Sequence, residues 1–151
     1  MDSKDLDILK SMLNLKTNNL QTIADTVNIS KSSVQKRIKK MEDDHIIKGF
    51  IPELNDELLP ETSTAISMIK ARYGPGYSEE IGKQISQIKG ICSLYYILGD
   101  YDFMAVIKAR GRKDLERIIN SISAIERVER SNTITVLSSV IEDLTLFYRL
   151  D

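Results

Sequence analysis

Five lysine or arginine residues fall within ten positions of one short segment, and cations at this density suit a polyanion. The segment is "SKSSVQKRIKKMEDD", residues 30–44, and its cations lie between Lys31 and Lys40. Lysine ammonium groups bind phosphates, while short hydroxyl and amide side chains hydrogen-bond the edges of DNA bases. The simpler alternative is a solvated helix face, because most lysine-rich helix faces have no further role.

The net charge of the chain provides no general attraction to nucleic acid. The 151 residues carry a formal charge of -1, with nine Lys or Arg against seven Asp or Glu in residues 1–50 and twelve against fifteen in residues 51–151. Any affinity for DNA must therefore come from a local basic surface. The place of that surface in the fold decides between the two interpretations.

Other kinds of chemistry have few candidate residues. Cys92 is the only cysteine and His45 the only histidine, which excludes disulfide frameworks and Cys/His zinc sites. A nucleophile–base pair and a phosphate-cradling glycine loop are missing from the sequence, so an enzyme that uses carboxylates such as Asp100 and Asp102 is the weaker alternative. No catalytic residue, metal ligand or cofactor is predicted. The polar N-terminus "MDSKDLD" and the lack of an apolar run of about 18 residues predict a cytoplasmic protein.

Apolar spacing predicts three short helices in the first 50 residues. The turn-forming segment "NLKTNN" separates the first from the second, which Asn18 or Asn19 caps, and Ser30 is a good N-cap for the third. The apolar positions are Leu6, Leu9 and Leu13 in the first helix, where Ile8 and Met12 widen the apolar face, Leu20, Ile23, Ala24 and Val27 in the second, and Val34, Ile38 and Met41 in the third. About three residues separate the last two patterns, so these helices cross steeply, as in a helix-turn-helix.

The basic segment lies on the second helix of this pair. On a wheel of about 100° per residue, Val34, Ile38 and Met41 share one face, Arg37 lies closer to that buried side, and the other polar side chains point away from it. A following strand, "IIKGF", suits a wing beside a recognition helix. Together these features favour DNA binding over a solvated face, and the predicted DNA-binding residues are Ser32, Ser33, Gln35, Lys36, Lys39 and Lys40.

His45 lies where the third helix must end, a position that commonly needs a left-handed backbone. Histidine tolerates that conformation better than most residues other than glycine. A pH-sensing role is the alternative, because histidine titrates near neutrality. Helix termination is the favoured interpretation, and His45 is given no function.

The remainder of the chain contains a repeat. "IKAR" recurs at an offset of 38 residues, and each copy lies in the first strand of a strand, helix, strand pattern. The predicted strands are Ala65 to Tyr73, Ile91 to Leu98, Asp102 to Ala109 and Arg130 to Leu137. Two such units give βαββαβ, a ferredoxin-like antiparallel sheet with both helices on one face. The predicted organisation is an α+β chain with a helix-turn-helix domain at 1–50, a strand and connector at 51–62, and a ferredoxin-like domain at 63–151.

The predicted sheet has apolar side chains on both faces, since "SLYYIL" and "FMAVI" are bulky at successive positions. Its own helices cover only one face, and a second subunit is the simplest cover for the other. A homodimer is therefore expected. A two-fold dimer also presents two recognition helices to palindromic DNA half-sites about 34 Å apart.

These segments, in this order and spacing, resemble the Lrp/AsnC, or feast/famine, family of prokaryotic transcription regulators. The similarity runs through "KDLDILKSML", then "TIADTVNISKSSVQKRIKKMEDDHIIKGF", and then "ILGDYDFMAVIKA" in the effector-sensing part. Asn28 and His45 stand where the family usually has glycine, and Pro52 makes the exit from the first domain irregular. The resemblance implies a winged helix-turn-helix regulator that is associated with the nucleoid and assembles as dimers and as an octamer of four dimers.

The resemblance also implies an amino-acid effector, bound where dimers meet. The hairpin "GDYD" then corresponds to the effector loop, which makes Gly99, Asp100, Tyr101 and Asp102 candidate binding residues. A glycine turn exposes backbone groups and carboxylates bind an ammonium, although Gly-Asp also forms ordinary two-residue turns. Thr133 and Thr135 are expected on a strand beside this hairpin. The alternative function is a nucleoid-type architectural protein that binds DNA broadly and ignores metabolites.

Overall fold

The computed structural model describes residues 1–54, 62–143 and 145. The chain divides into two compact units, residues 1–54 with 141–151, and residues 55–140, and each has its own hydrophobic core. Most of the predicted connector, at residues 55–61, lies outside the described residues. Among the helices described, none is both long enough and apolar enough to cross a membrane.

The first unit contains three helices at the predicted places. They are α1 (Ser3–Leu15), α2 (Leu20–Val27) and α3 (Lys31–Asp43). The predicted apolar positions of α2 and α3 supply much of the core, and α1 contributes Ile8 and Met12 of its predicted apolar face rather than the three leucines. The buried members are Ile8, Met12, Ile23, Ala24, Val27, Val34, Ile38 and Met41.

Side-chain caps and left-handed residues fix the helix ends. Asn19 Oδ1 accepts the backbone N–H groups of the first turn of α2, and Ser30 Oγ accepts the N–H of Ser33 at the start of α3. Asn28 ends α2 with φ 54°, and His45 follows α3 with φ 57°. The prediction that His45 terminates its helix in a left-handed conformation is confirmed.

The predicted strand "IIKGF" is wrong, because residues 46–50 form no strand in the described part of the chain. The backbone N–H groups of Ile46 and Ile47 both donate to the carbonyl of Met41, at 2.8 and 3.1 Å. Ile47 also packs against the helical core. The segment therefore closes the last turn of α3, and its amides are used there rather than in a strand ladder.

The second unit follows the predicted βαββαβ order. Its elements are β1 (Ser63–Ala71), α4 (Tyr77–Ser86), β2 (Ile91–Tyr96), β3 (Phe103–Ala109), α5 (Gly111–Ser123) and β4 (Val128–Thr135). The strands form one antiparallel sheet in the order β2-β3-β1-β4, as in a ferredoxin-like fold. The first and last strands begin two residues earlier than predicted, because short alternating patterns locate strand ends poorly.

The two faces of the sheet differ in burial. Alternate residues of β1 and β3 are buried against Ile81 and Ile85 of α4 and Ile118 and Ile122 of α5. The opposite face also carries apolar side chains, as predicted, and Ile134 is 57% exposed there. The half-buried or exposed residues on that face include Ile66, Met68, Tyr95, Met104, Val106 and Ile134.

Candidate functional site

The outward surface of α3 is polar and accessible. Val34, Ile38 and Met41 are buried in the core of the first unit, which turns the remaining side chains toward solvent. Of the predicted DNA-binding residues, Ser33 is half-buried and the others are exposed, namely Ser32, Gln35, Lys36, Lys39 and Lys40. The structure therefore places five of the six predicted side chains on one accessible helix surface.

Three serine hydroxyls cluster at the start of α3. Ser30 Oγ lies 2.8 Å from Ser33 Oγ and 3.1 Å from Ser32 Oγ, and it also accepts the Ser33 N–H at 3.2 Å. Ser30 therefore caps the helix, and its hydroxyl also hydrogen-bonds that of the half-buried Ser33, which leaves the Ser33 hydroxyl less available. Ser32, whose hydroxyl makes the longer of the two contacts with Ser30, and Gln35 are exposed in these first turns.

The lysines of α3 differ in their partners. Lys39 Nζ forms an ion pair with Asp43, one helical turn away, at 2.9 Å. Hydrogen bonding to this carboxylate raises the pKa of Lys39 above its usual value. Lys36 and Lys40 make no ion pair with any carboxylate among the described residues. They are the more available cations for a phosphate backbone.

Arg37 connects two helices, a role that was not predicted from the sequence. Its Nη1 donates to Asp2 Oδ2 at 2.7 Å and to Asp5 Oδ1 at 2.6 Å, which joins α3 to the capping box of α1. The Arg37 guanidinium lowers the pKa of Asp2, and the Asp2 backbone amide followed by Arg37 lowers the pKa of Asp5. The position of Arg37 near the buried side of the helix wheel was the available signal.

The connection between β2 and β3 is longer than a two-residue turn. The Ile97 N–H donates to the Asp102 carbonyl at 2.8 Å, so four residues, Leu98 to Tyr101, form the tip. Gly99 has φ 153°, a conformation that favours glycine, and Asp100 is exposed. We call residues 98–102 the effector hairpin, after the effector-binding role predicted for residues 99–102.

Asp102 is buried beneath the tip, with 6% of its surface exposed. Its Oδ2 accepts the Ala71 N–H at 2.8 Å and lies 3.3 Å from Lys70 Nζ, while its own N–H donates to the Ile69 carbonyl at 2.9 Å. The carboxylate is thus paired inside the protein, as a buried charge must be. Direct contact between Asp102 and an effector stays a prediction.

A pair of tyrosines, which was not predicted from the sequence, extends this network. The Tyr77 and Tyr96 hydroxyl oxygens lie 2.6 Å apart, and the Tyr77 hydroxyl lies 3.5 Å from Asp102 Oδ1. A carboxylate only accepts, so Tyr77 donates to Asp102 and can accept from Tyr96. The hydrogen bond with Tyr96, together with burial, raises the pKa of Tyr77 well above its usual value.

Thr133 and Thr135 do not lie beside the effector hairpin, contrary to expectation. They belong to β4, and β1 separates β4 from β3 in the sheet. Thr135 is level with Ala65 at the far end, about 13 Å along the strand from the level of the hairpin. Thr133 donates its hydroxyl to Ser67 at 3.0 Å. Within one chain, neither threonine is placed to share a small ligand with the hairpin.

Arg130 is the residue of β4 that reaches the hairpin. Its guanidinium carbon lies 5.3 Å from the centre of the Tyr101 ring, within the range of a cation–π contact. The hairpin therefore presents charged and aromatic groups suited to binding a small polar molecule. Among the described residues, no group of three or more His, Cys, Asp or Glu side chains is placed to hold a metal ion.

Two family models match the chain and together cover most of it. Residues 1–48 match a winged helix-turn-helix DNA-binding domain, and residues 64–146 match the Lrp/AsnC ligand-binding domain. The first match contains α3 and its exposed surface. The second contains the sheet and the effector hairpin.

Individual proteins are similar over nearly the full length. An uncharacterised HTH-type transcriptional regulator of Pyrococcus horikoshii is 34% identical over 146 residues, which is 97% of each chain. The structure of AsnC from E. coli superposes with a TM-score of 0.80 at 19% identity, covering 95% of this chain and 96% of that one. The transcriptional regulator NMB0573 of Neisseria meningitidis, solved as an L-Met complex, superposes with a TM-score of 0.85 at 16% identity, covering 97% and 96%. With these matches, the chain belongs to the Lrp/AsnC family of helix-turn-helix transcriptional regulators.

Proposed function

We propose that the chain is a cytoplasmic, nucleoid-associated regulator that reads a palindromic operator with α3 and changes its DNA binding when an amino acid occupies the effector hairpin. The single observation that carries the DNA-binding part is the exposed outer surface of α3. Lys36 and Lys40 supply phosphate contacts, Ser32 and Gln35 supply base contacts, and Lys39 contributes once it leaves Asp43. Ser33 contributes indirectly, because its hydrogen bonds with the N-cap residue Ser30 order the first turn of α3.

The DNA contacts are tested by measuring binding at several salt concentrations. Replacing Lys36 by Ala is expected to weaken binding to every sequence and to reduce the salt slope by about one. The matched control is Lys113→Ala, which removes an equal charge from the exposed surface of α5. An unchanged slope in Lys36→Ala would remove this lysine from the interface.

The degree of sequence specificity distinguishes a transcription regulator from an architectural protein that binds DNA broadly. A regulator binds its operator roughly 10³-fold or more above random DNA at physiological salt. Replacing Gln35 by Ala should relax the preference at one operator position without changing the salt slope. A ratio near one for the wild-type protein would favour an architectural protein that binds DNA broadly.

The assembly is a homodimer that associates further into an octamer of four dimers. The apolar face of the sheet supports this part, because residues such as Ile134 are exposed in the single chain and a second subunit would bury them. Replacing Ile134 by Asp should shift the protein toward monomers in analytical ultracentrifugation. The matched control is Leu137→Asp, because Leu137 is also exposed but follows the end of β4.

The effector is an amino acid held at the effector hairpin. The exposed carboxylate of Asp100 suits an α-ammonium group, and the turn at Gly99 exposes backbone groups for the rest of the ligand. The Tyr101 ring forms one wall of the ligand site. Asp102 contributes indirectly, because its contacts with Ala71 and Lys70 hold the hairpin in place. The L-Met complex of the Neisseria regulator, which has the same fold, supports the choice of ligand class.

Calorimetry with the twenty standard amino acids tests the effector. At least one is expected to bind the wild-type protein, and Asp100→Ala should abolish or strongly weaken that binding without changing the fold. The ligand should then shift the affinity for DNA by a coupling of about 1 to 3 kcal/mol. Normal binding in Asp100→Ala would place the effector elsewhere.

A further inference from the structure

Arg130 has a positive charge that no ion pair in the described structure uses. It lies directly opposite Lys70 across β1 and β4, and like charges at such positions repel. Asp102 neutralises Lys70 at 3.3 Å, whereas no carboxylate among the described residues pairs with Arg130. Its recorded neighbour is the ring of Tyr101, at 5.3 Å. The pair of cations therefore leaves one of its two charges available.

Asp100 provides the opposite charge on the same hairpin. It precedes Tyr101 at the exposed tip, and it too has no ion pair within the described part of the chain. Asp100 is therefore the neighbour in sequence of the residue whose ring Arg130 contacts, and no ion pair joins Asp100 to Arg130 in the described part of the chain. Two unpaired, opposite charges associated with one hairpin suit a ligand that itself carries both a cation and an anion.

We propose that Arg130 binds the α-carboxylate of the effector while Asp100 binds its α-ammonium, so that the site selects free amino acids. This inference rests on the effector site proposed above and adds its specificity-determining residue. The planar guanidinium matches a carboxylate with two parallel hydrogen bonds, which an ammonium cannot reproduce. The Tyr101 ring holds the guanidinium near the tip, so less freedom is lost when the ligand binds.

The consequence is a preference for ligands with a free carboxylate. An amino-acid amide keeps the α-ammonium and the side chain but lacks the negative charge that Arg130 binds. One charge-assisted hydrogen bond changes affinity by about 10- to 100-fold, so the wild-type protein should favour the acid over the amide by that factor. This preference for the acid over the amide does not depend on the side chain of the ligand.

The experiment is calorimetry on the full chain with L-methionine and L-methioninamide as probes. If the twenty-member screen finds a different amino acid, that amino acid and its amide replace them. Arg130→Gln should lower the affinity for the acid by about 10- to 100-fold and leave the amide unchanged, which brings their ratio near one. Arg130→Lys should retain part of the preference. The control is Arg112→Gln, which also removes one positive charge. Arg112 forms an ion pair with Glu116 on α5.

The outcomes separate this inference from the proposal beneath it. If Arg130→Gln binds the acid and discriminates against the amide as the wild type does, Arg130 is not the carboxylate-binding residue, although the effector site stands. If none of the twenty amino acids binds the wild type, the effector proposal fails and this inference fails with it. Unchanged circular dichroism of Arg130→Gln shows that a loss of affinity does not come from unfolding.

Discussion

Arg37 on α3 and Asp5 on α1 form an ion pair of 2.6 Å across 32 residues of sequence. The same guanidinium nitrogen donates to Asp2, the N-cap of α1, at 2.7 Å. The helix that carries the proposed DNA-binding surface is therefore anchored at its middle to the first turn of another helix. This anchor uses the one cation of the basic segment that lies toward the protein interior.

Replacing Arg37 by Met should lower the thermal stability of the first unit and should do so in a pH-dependent way. The pairing lowers the folded-state pKa of Asp2 and Asp5, so its stabilisation is present above their unfolded value of about 3.9 and is lost as the pH falls through the folded value. Helical circular dichroism should show the full difference between wild type and variant at pH 7. A difference that persisted undiminished at strongly acidic pH would contradict the ion-pair explanation.

Asp43 is expected to restrain DNA binding through its 2.9 Å ion pair with Lys39. Asp43→Asn removes one negative charge beside the basic surface and frees an ammonium for phosphate, so affinity for DNA should rise and the salt slope should steepen by up to about one. The matched control is Asp7→Asn, which breaks the Lys4–Asp7 pair on α1. If the two variants changed the affinity for DNA equally, the change in net charge alone would explain the effect, and release of Lys39 would not be needed.

Asp102 is expected to act mainly by holding the effector hairpin. Asp102→Ala leaves the Ala71 amide and the Lys70 ammonium without their partner and should cost about 1 to 3 kcal/mol in urea unfolding followed by tyrosine fluorescence. Asp102→Asn retains an acceptor for Ala71 and should lose less. Effector binding should survive in Asp102→Asn; its complete loss there, with the fold intact, would show direct contact between this carboxylate and the ligand.

His45 has φ 57° at the end of α3, where glycine is less strained. His45→Gly should therefore raise the free energy of unfolding of the first unit by about 0.5 kcal/mol, since the relief of strain exceeds the added entropy of the unfolded chain. His45→Val should lower it, because a β-branched side chain tolerates this conformation poorly. Denaturant unfolding followed by circular dichroism measures both, and a loss of stability in His45→Gly would show that the imidazole itself has a stabilising role.

The sequence predicted the elements whose signals are local. The three helices, the caps at Asn19 and Ser30, the left-handed residue at His45 and the βαββαβ order all follow from neighbours within a few positions. Helical and strand periodicities repeat every 3.6 and 2 residues, so a buried surface is readable from the chain itself. The exposed surface of α3 was predictable for the same reason, because Val34, Ile38 and Met41 determine which side faces solvent.

The structure alone decided which distant side chains meet. Arg37 contacts Asp2 and Asp5 because α3 packs on α1. Asp102 contacts Lys70, Ala71 and Tyr77 at one end of the sheet. Sheet order and register also place Thr133 and Thr135 away from the effector hairpin and place Arg130 next to Tyr101. Such contacts depend on the order of strands and on the rotation of each element, and periodicity within one segment carries no information about either.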